Sequence, residues 1–242
     1  MKCYCDLHIH SALSPCADKD MTPNNIVNLA VLCGLNIIAL TDHNSIGNVE
    51  ATMKAAEELP ITVVPGMELE TLEEIHFVCL FPSLEIAKEF DAWLAPYRMP
   101  IKNKPEIFGE QLYINENDEV VGTEESLLVT ATTCSVYDAA PKVRALGGVI
   151  YPAHVDRSSY SVISNFGTVP EDLGFTCVEI SSGITREDAF LKYPYLSKYQ
   201  IITDSDSHYL DTFFDTQNPI ELEEASAEAL IAKLSKTASN LL

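Results

Sequence analysis

Short β-type runs recur along this chain at residues 4–9, 36–40, 61–64, 75–80, 149–152, 177–180 and 200–203, with helical stretches between several of them. Alternation of this kind predicts a parallel sheet or barrel, since each crossover helix carries the chain back to start the next strand. Seven strands suggest a barrel one unit short of the common eightfold form. The helix signals are specific. Thr22 with Pro23 makes an N-cap and first position, and Gly34 makes a stop. After Ser83, the residues Ile86, Phe90, Trp93, Leu94 and Tyr97 follow amphipathic spacing. Ser135 with Asp138 resembles a capping box, and Gly147–Gly148 ends that helix.

One segment breaks the rhythm. Residues 99–125, MPIKNKPEIFGEQLYINENDEVVGTEE, read as a proline-marked loop followed by a hairpin turning near 115–118, an insertion on the barrel. A last helix is expected over about 224–236, with Leu230, Ile231 and Leu234 as its apolar stripe. With no repeat, linker or low-complexity tract, residues 1–242 read as a single domain.

Composition narrows the class. Hydrophobic residues make up 47%, enough for a packed core. The longest apolar stretch, residues 26–40, is interrupted by Asn28 and Asn36 and falls short of the roughly 20 residues a bilayer span needs. The N-terminus lacks the basic and apolar regions of a signal peptide, so a cytoplasmic protein with no membrane partner is expected. Seven cysteines, odd in number and without a CxxC pair, fit reduced thiols in such a compartment, with Cys3 and Cys5 as core packing. Fifteen basic against 36 acidic residues give a net charge of −21, which argues against a long nucleic acid and for a small anionic substrate.

The six histidines carry the chemistry. His8 and His10 lie two apart in the first strand, on one face with Asp6, as strand alternation requires. His43, His154 and His208 follow the ends of three further strands, while His76 stands at the start of its strand. Four of these five strands therefore deliver histidine at their C-terminal ends, where barrels of this kind carry their active sites. Asp42, Glu68 and Asp206 occupy similar positions. Such a cluster of imidazoles and carboxylates suits divalent transition metals.

Taken in order, the motifs DLHIHSALSPCADKD, ALTDHNS, PGMELE, IHFVCLF, PAHVDR and DSDSH resemble those of the polymerase and histidinol phosphatase (PHP) domain family, and the resemblance runs through nearly the whole chain. It implies an α/β fold, a distorted seven-stranded (β/α) TIM-like barrel, and a metal-dependent phosphoesterase activity. It also implies two or three divalent ions, Mn²⁺, Fe²⁺ or Zn²⁺. His8, His10, Glu68 and Asp206 would hold the first, with Glu68 bridging to a second held by His76 and His154. Asp18, or Asp20 beside it, would join His43 and His208 at the third. Glu68, Asp206 and Asp42 would be the carboxylates that serve catalysis. Asp42 and Asp6 are read as groups that orient ligating imidazoles, because the free ring nitrogen of such a histidine usually donates to a carboxylate or carbonyl.

The chemistry expected is attack of a metal-bound hydroxide on phosphorus. No Ser–His–Asp arrangement competes with it, and neither Ser11 nor Cys16 carries the signal of a covalent nucleophile. Arg157, three residues after His154, offers a planar fork for phosphate or else a surface ion pair. Lys102 and Lys104 in the insertion are further candidates for substrate binding. The expected substrate is a small phosphorylated metabolite such as a nucleotide or nucleoside bisphosphate. Other readings are a histidinol-phosphate-type or protein-tyrosine phosphatase, a carbon–nitrogen hydrolase, and a non-catalytic metal-dependent sensor. The usual catalytic-lysine signature of the carbon–nitrogen hydrolases is missing.

Overall fold

The computed structural model describes residues 1–213 and 219–238. Its strands are β1 (Lys2–Cys3), β2 (Cys5–Ile9), β3 (Ile37–Leu40), β4 (Thr62–Glu70), β5 (His76–Leu80), β6 (Leu112–Ile114), β7 (Val120–Thr123), β8 (Val149–Pro152), β9 (Cys177–Ile180), β10 (Gln200–Thr203) and β11 (Ile220–Glu221). The helices are α1 (Pro23–Leu32), α2 (Val49–Ala55), α3 (Leu84–Leu94), α4 (Pro105–Phe108), α5 (Val136–Ala145), α6 (Val162–Phe166), α7 (Arg186–Lys192) and α8 (Ala227–Leu234).

Helix starts follow their local chemistry. The Thr22 hydroxyl accepts the Asn25 N–H at the head of α1, and the Ser83 hydroxyl accepts the Ile86 N–H at the head of α3. At α5 the carboxylate that completes the cap is Glu73 rather than Asp138: it takes the Ser135 hydroxyl at 2.5 Å and the Val136 N–H at 3.1 Å. Helix α3 is seated on Phe81 through Phe90, ring to ring at 5.0 Å, with Trp93 of the same helix 5.5 Å from Phe90. Fully burying a side chain such as Phe90 contributes about 1.5–3 kcal/mol.

Five strands form one sheet in the order β2–β3–β4–β5–β8, and β9 pairs with β10 in a second, parallel ladder. The pairs β2–β3 and β3–β4 are parallel, but β4–β5 and β5–β8 are antiparallel. The expectation of an all-parallel barrel is corrected here, and the cause is chain length. Only residues 71–75 separate β4 from β5, whereas a parallel return needs a crossover of a dozen residues or more. Strand β4 also runs past the expected 61–64, because the segment PGMELE stays extended to pair with β5 from Gly66 to Glu70.

The two ladders are joined edge to edge by carboxylates. Between β2 and the segment after β10, the Leu7 N–H donates to Asp204 at 2.8 Å and the Ser205 N–H to Asp6 at 3.1 Å, beside a single parallel bridge from Ile9 to Ser207. Between the segments after β8 and β9, Asp156 accepts the Ser181 N–H at 2.7 Å and its hydroxyl at 2.6 Å. The result is an α/β fold with a curled sheet, built from two ladders with sutured edges.

Both faces of this sheet are buried. Along β3, Ile37 and Ala39 pack into one apolar cluster while Ile38 and Leu40 pack into the other; β5 splits Val78 and Leu80 from Phe77 and Cys79 in the same way. The cluster of Ile37 and Ala39 is closed by Leu230, Ile231 and Leu234 of α8, which lies across the N-terminal ends of β4, β9 and β10: Thr176 and Gln200 donate to its Leu234 and Lys233 carbonyls, and Thr62 donates to the Ala225 carbonyl just before it. The C-termini of β4, β9 and β10, and the start of the antiparallel β5, therefore remain free at the opposite end. The insertion carries the β6–β7 hairpin, turning over residues 115–118, and is pinned beside the loop after His10. There Gly109 has φ +98°, and a Cβ at this position would stand 2.0 Å from the Pro15 carbonyl oxygen. Only glycine fits. Among the described residues no helix is long and apolar enough to cross a membrane.

Candidate metal centre

All six histidines meet at the free end of the sheet around one carboxylate. Glu68, in β4, is 1% exposed. Its Oε1 lies 3.2 Å from His8 Nε2, 2.7 Å from His76 Nδ1 and 3.3 Å from His154 Nε2, while its Oε2 lies 3.3 Å from His10 Nε2 and 2.9 Å from His43 Nδ1. Asp206 Oδ1 closes the set at 3.4 Å from His8 and 3.3 Å from His10. His208 stacks on His10, with ring centroids 4.1 Å apart. His76, at the start rather than the end of its strand, reaches the same place because β5 runs antiparallel to β4.

Three groups have ligand atoms within 4.8 Å of one another: His8–His10–Glu68, His43–Glu68–His76 and His10–His43–His208. Among the described residues, the buried atoms His8 Nε2, His10 Nε2, Glu68 Oε2 and Asp206 Oδ1 have no hydrogen-bond partner. Orphaned buried polar atoms of this kind are costly, and mixed nitrogen and oxygen donors at this spacing fit divalent transition cations. The donor set therefore suits the metals that the motifs imply.

Neighbouring groups fix the rings. His8 donates Nδ1–H to Glu179 Oε2 at 2.8 Å, and His208 donates Nδ1–H to the Asp206 carbonyl at 2.9 Å, leaving each Nε2 free to face the site. His10 Nδ1–H goes to the Ser14 hydroxyl at 2.9 Å, which itself donates to Asp42 at 2.7 Å. Asp42 thus acts on His10 through Ser14. It also holds the loop by accepting the Ser11 N–H at 2.8 Å and the Ser11 hydroxyl at 2.6 Å. Asp6 touches no imidazole nitrogen and takes the Ser205 N–H instead; burial pushes its carboxyl up to about 6. The backbone is forced around the centre, with non-glycine residues at positive φ: Asn44 (48°), His154 (28°), Tyr160 (53°) and Asp206 (49°). Each such residue costs about 1–3 kcal/mol and persists only where its surroundings impose it.

The electrostatics follow from this crowding. Burial works against the Glu68 charge, but the imidazoles of His76, His8 and His43 outweigh it and hold the carboxyl well below the usual range. Burial, with His10 beside it, depresses His208 to about 3. Burial likewise opposes a proton on His76, yet Glu68 at 2.7 Å raises that ring to about 9.

Not every expected residue joins. Asp18 is exposed, its carboxylate accepts the Asp20 N–H at 2.9 Å, and it belongs to none of the three groups; His10 stands in its place beside His43 and His208. Lys102 and Lys104 are exposed on the insertion and do not line the cleft over the centre. That cleft, about 140 Å³, is lined by Arg157, Ser159 and Tyr160 in addition to the histidine and carboxylate cluster. Arg157 donates to Asp206 Oδ2 at 2.6 Å. Ser11 is buried and committed to Asp42, and Cys16 is exposed and belongs to none of the ligand groups. Glu179, which sequence reasoning missed, is fully buried beneath His8. Its only signal was a lone carboxylate in the β-run CVEI.

The PHP domain family model matches residues 6–234. A 5′-3′ exoribonuclease of Haemophilus influenzae is 37% identical over 78 residues, 31% of this chain and 27% of its own. The lesion-specific endonuclease Q of Pyrococcus furiosus superposes with a TM-score of 0.76 at 19% identity, covering 97% of this chain and 56% of that one. A second endonuclease Q structure, in complex with a 27-mer duplex bearing an abasic lesion, gives 0.71 at 18% identity over 95% of this chain and 55% of that one. This chain thus spans about half of each endonuclease Q chain and about a quarter of the exoribonuclease. The exclusion of long nucleic acids is corrected by these structures, since a protein of this fold engages a DNA duplex. A net charge of −21 describes the summed field, whereas a strand at a cleft meets local groups and bound cations.

Proposed function

Because the chain belongs to the PHP domain family of metal-dependent phosphoesterases, we propose that it hydrolyses phosphodiester bonds of a nucleic-acid strand at the histidine centre. The observation that carries this reading is the Glu68 carboxylate, buried and shared between the His8–His10 and His43–His76 groups. Divalent cations bound there would supply a water whose pKa falls toward about 7 and would neutralise charge building on the phosphoryl oxygens. Glu68, His8, His10, His43, His76, His154, Asp206 and His208 are the residues that would hold the cations. Asp206 presents Oδ1 to the histidines and Oδ2 to Arg157. Arg157 is 44% exposed and can turn its remaining N–H groups to a phosphate beside the reacting one. Asp42, through Ser14, keeps the His10 lone pair aimed at the centre.

The test is hydrolysis by Mn²⁺-loaded protein of a 5′-labelled single strand and of a duplex bearing an abasic site, resolved by fragment length. Metal-dependent fragments support the proposal, with one heavy-oxygen atom in the product phosphate when the water is labelled. A protein that retains its metal but leaves every strand intact contradicts it.

A further inference from the structure

Three residues lining the cleft lie outside the histidine and carboxylate cluster, and all three, Arg157, Ser159 and Tyr160, come from the segment between β8 and α6. Arg157 speaks to phosphate. Tyr160 differs, because its ring lies on His76 with centroids 4.9 Å apart and planes inclined by 24°. With that contact made, the residue is still 49% exposed. The ring is therefore half open over a polar cleft. The residue is held at a cost, at φ +53°, where glycine would sit without strain. The His76 N–H donates to the Tyr160 carbonyl at 3.0 Å and locks this backbone against β5. The contact the side chain makes is through its ring, on His76.

Resting on the reading of the site as a nucleic-acid phosphodiesterase, we propose that Tyr160 is the stacking platform for a nucleobase flanking the scissile phosphate. The ring is anchored on a histidine of the centre and shares the cleft with Arg157, so one segment offers a π-face for a base and a guanidinium for a phosphate. Such stacking tolerates any base, because every base has a π-face. Tyr160 is therefore a positioning residue that selects nucleotides over simple phosphate esters without reading sequence.

The experiment compares Tyr160→Phe, Tyr160→Leu and wild type, all Mn²⁺-loaded, on two short oligonucleotides. The second oligonucleotide lacks the bases on both sides of the cleaved bond. Loss of the ring in Tyr160→Leu should raise KM for the normal strand about 5- to 140-fold, the range typical of one base–aromatic stack. The baseless strand should show little change, Tyr160→Phe should behave as wild type, and metal content should be equal in all three. Equal KM increases on both strands, or a loss of metal in Tyr160→Leu, would make Tyr160 a structural support for His76 and overturn the inference. A wild type that cleaves both strands with the same KM would overturn it while leaving the phosphodiesterase reading intact. A wild type that cleaves neither would remove that reading and the inference with it.

Discussion

Replacing Glu179 with alanine should loosen the centre without touching any residue that faces the cleft. The Glu179 carboxylate accepts His8 Nδ1–H at 2.8 Å and the His154 N–H at 3.1 Å, both buried. Alanine would strand both donors, at about 1–3 kcal/mol each, so the metal-free protein should lose about 2–6 kcal/mol. That is a large share of the 5–15 kcal/mol typical of a domain. Metal affinity should fall separately, because His8 would no longer be held with its Nε2 toward Glu68; losing such a partner typically costs 10- to 100-fold. Glutamine keeps one acceptor oxygen but turns an NH₂ toward one of the two donors, and should fall between alanine and wild type. Urea denaturation of the metal-free proteins measures the first effect, and Mn²⁺ titration against a chelating indicator measures the second. Unchanged metal affinity in a folded Glu179→Ala protein would refute the reasoning that this carboxylate orients a ligand.

Arg157→Ala should raise KM for strand cleavage about tenfold, the low end for a charge-assisted hydrogen bond at a half-exposed group, and should lower the salt dependence by about one phosphate contact. Steady-state kinetics at several salt concentrations would register both, and an unaltered salt slope would remove Arg157 from substrate binding. Leu230→Ala, at a fully buried position in α8, should cost about 2–5 kcal/mol in denaturant melts. Its metal content should stay at the wild-type level, because α8 closes the end of the sheet opposite the histidines.

Those histidines were legible because strand geometry makes them so. His8 and His10 share a face by alternation, and His43, His154 and His208 follow apolar β-runs whose ends are easy to see. Helix α1 likewise begins at Pro23 behind Thr22, and α3 buries Phe90 and Leu94 of the expected stripe. Strand direction was harder to read. With the strand read as ending at 64, ten residues seemed to precede the next run; β4 in fact extends to Glu70, only residues 71–75 remain, and the reversal they force is what brings His76 to the centre. Asp18 shows the limit of sequence proximity: eight residues from His10, it turns its carboxylate to the Asp20 N–H. Glu179 was hidden for the opposite reason, since it lies 171 residues from the imidazole it supports. The exclusion of long nucleic acids was drawn from total charge, which weights residues such as Lys54, Lys88 and Glu50, tied to one another on the surface, equally with Arg157 in the cleft.

Elemental analysis of anaerobically purified protein, set beside its Glu68→Ala variant, tests the shared carboxylate most directly. Glu68 lies in two of the three ligand groups, so the wild type should carry more than one divalent ion per chain and the folded variant should lose more than one position at once. Equal metal content in the two proteins, or a wild type that binds no divalent metal, would contradict a centre built around Glu68.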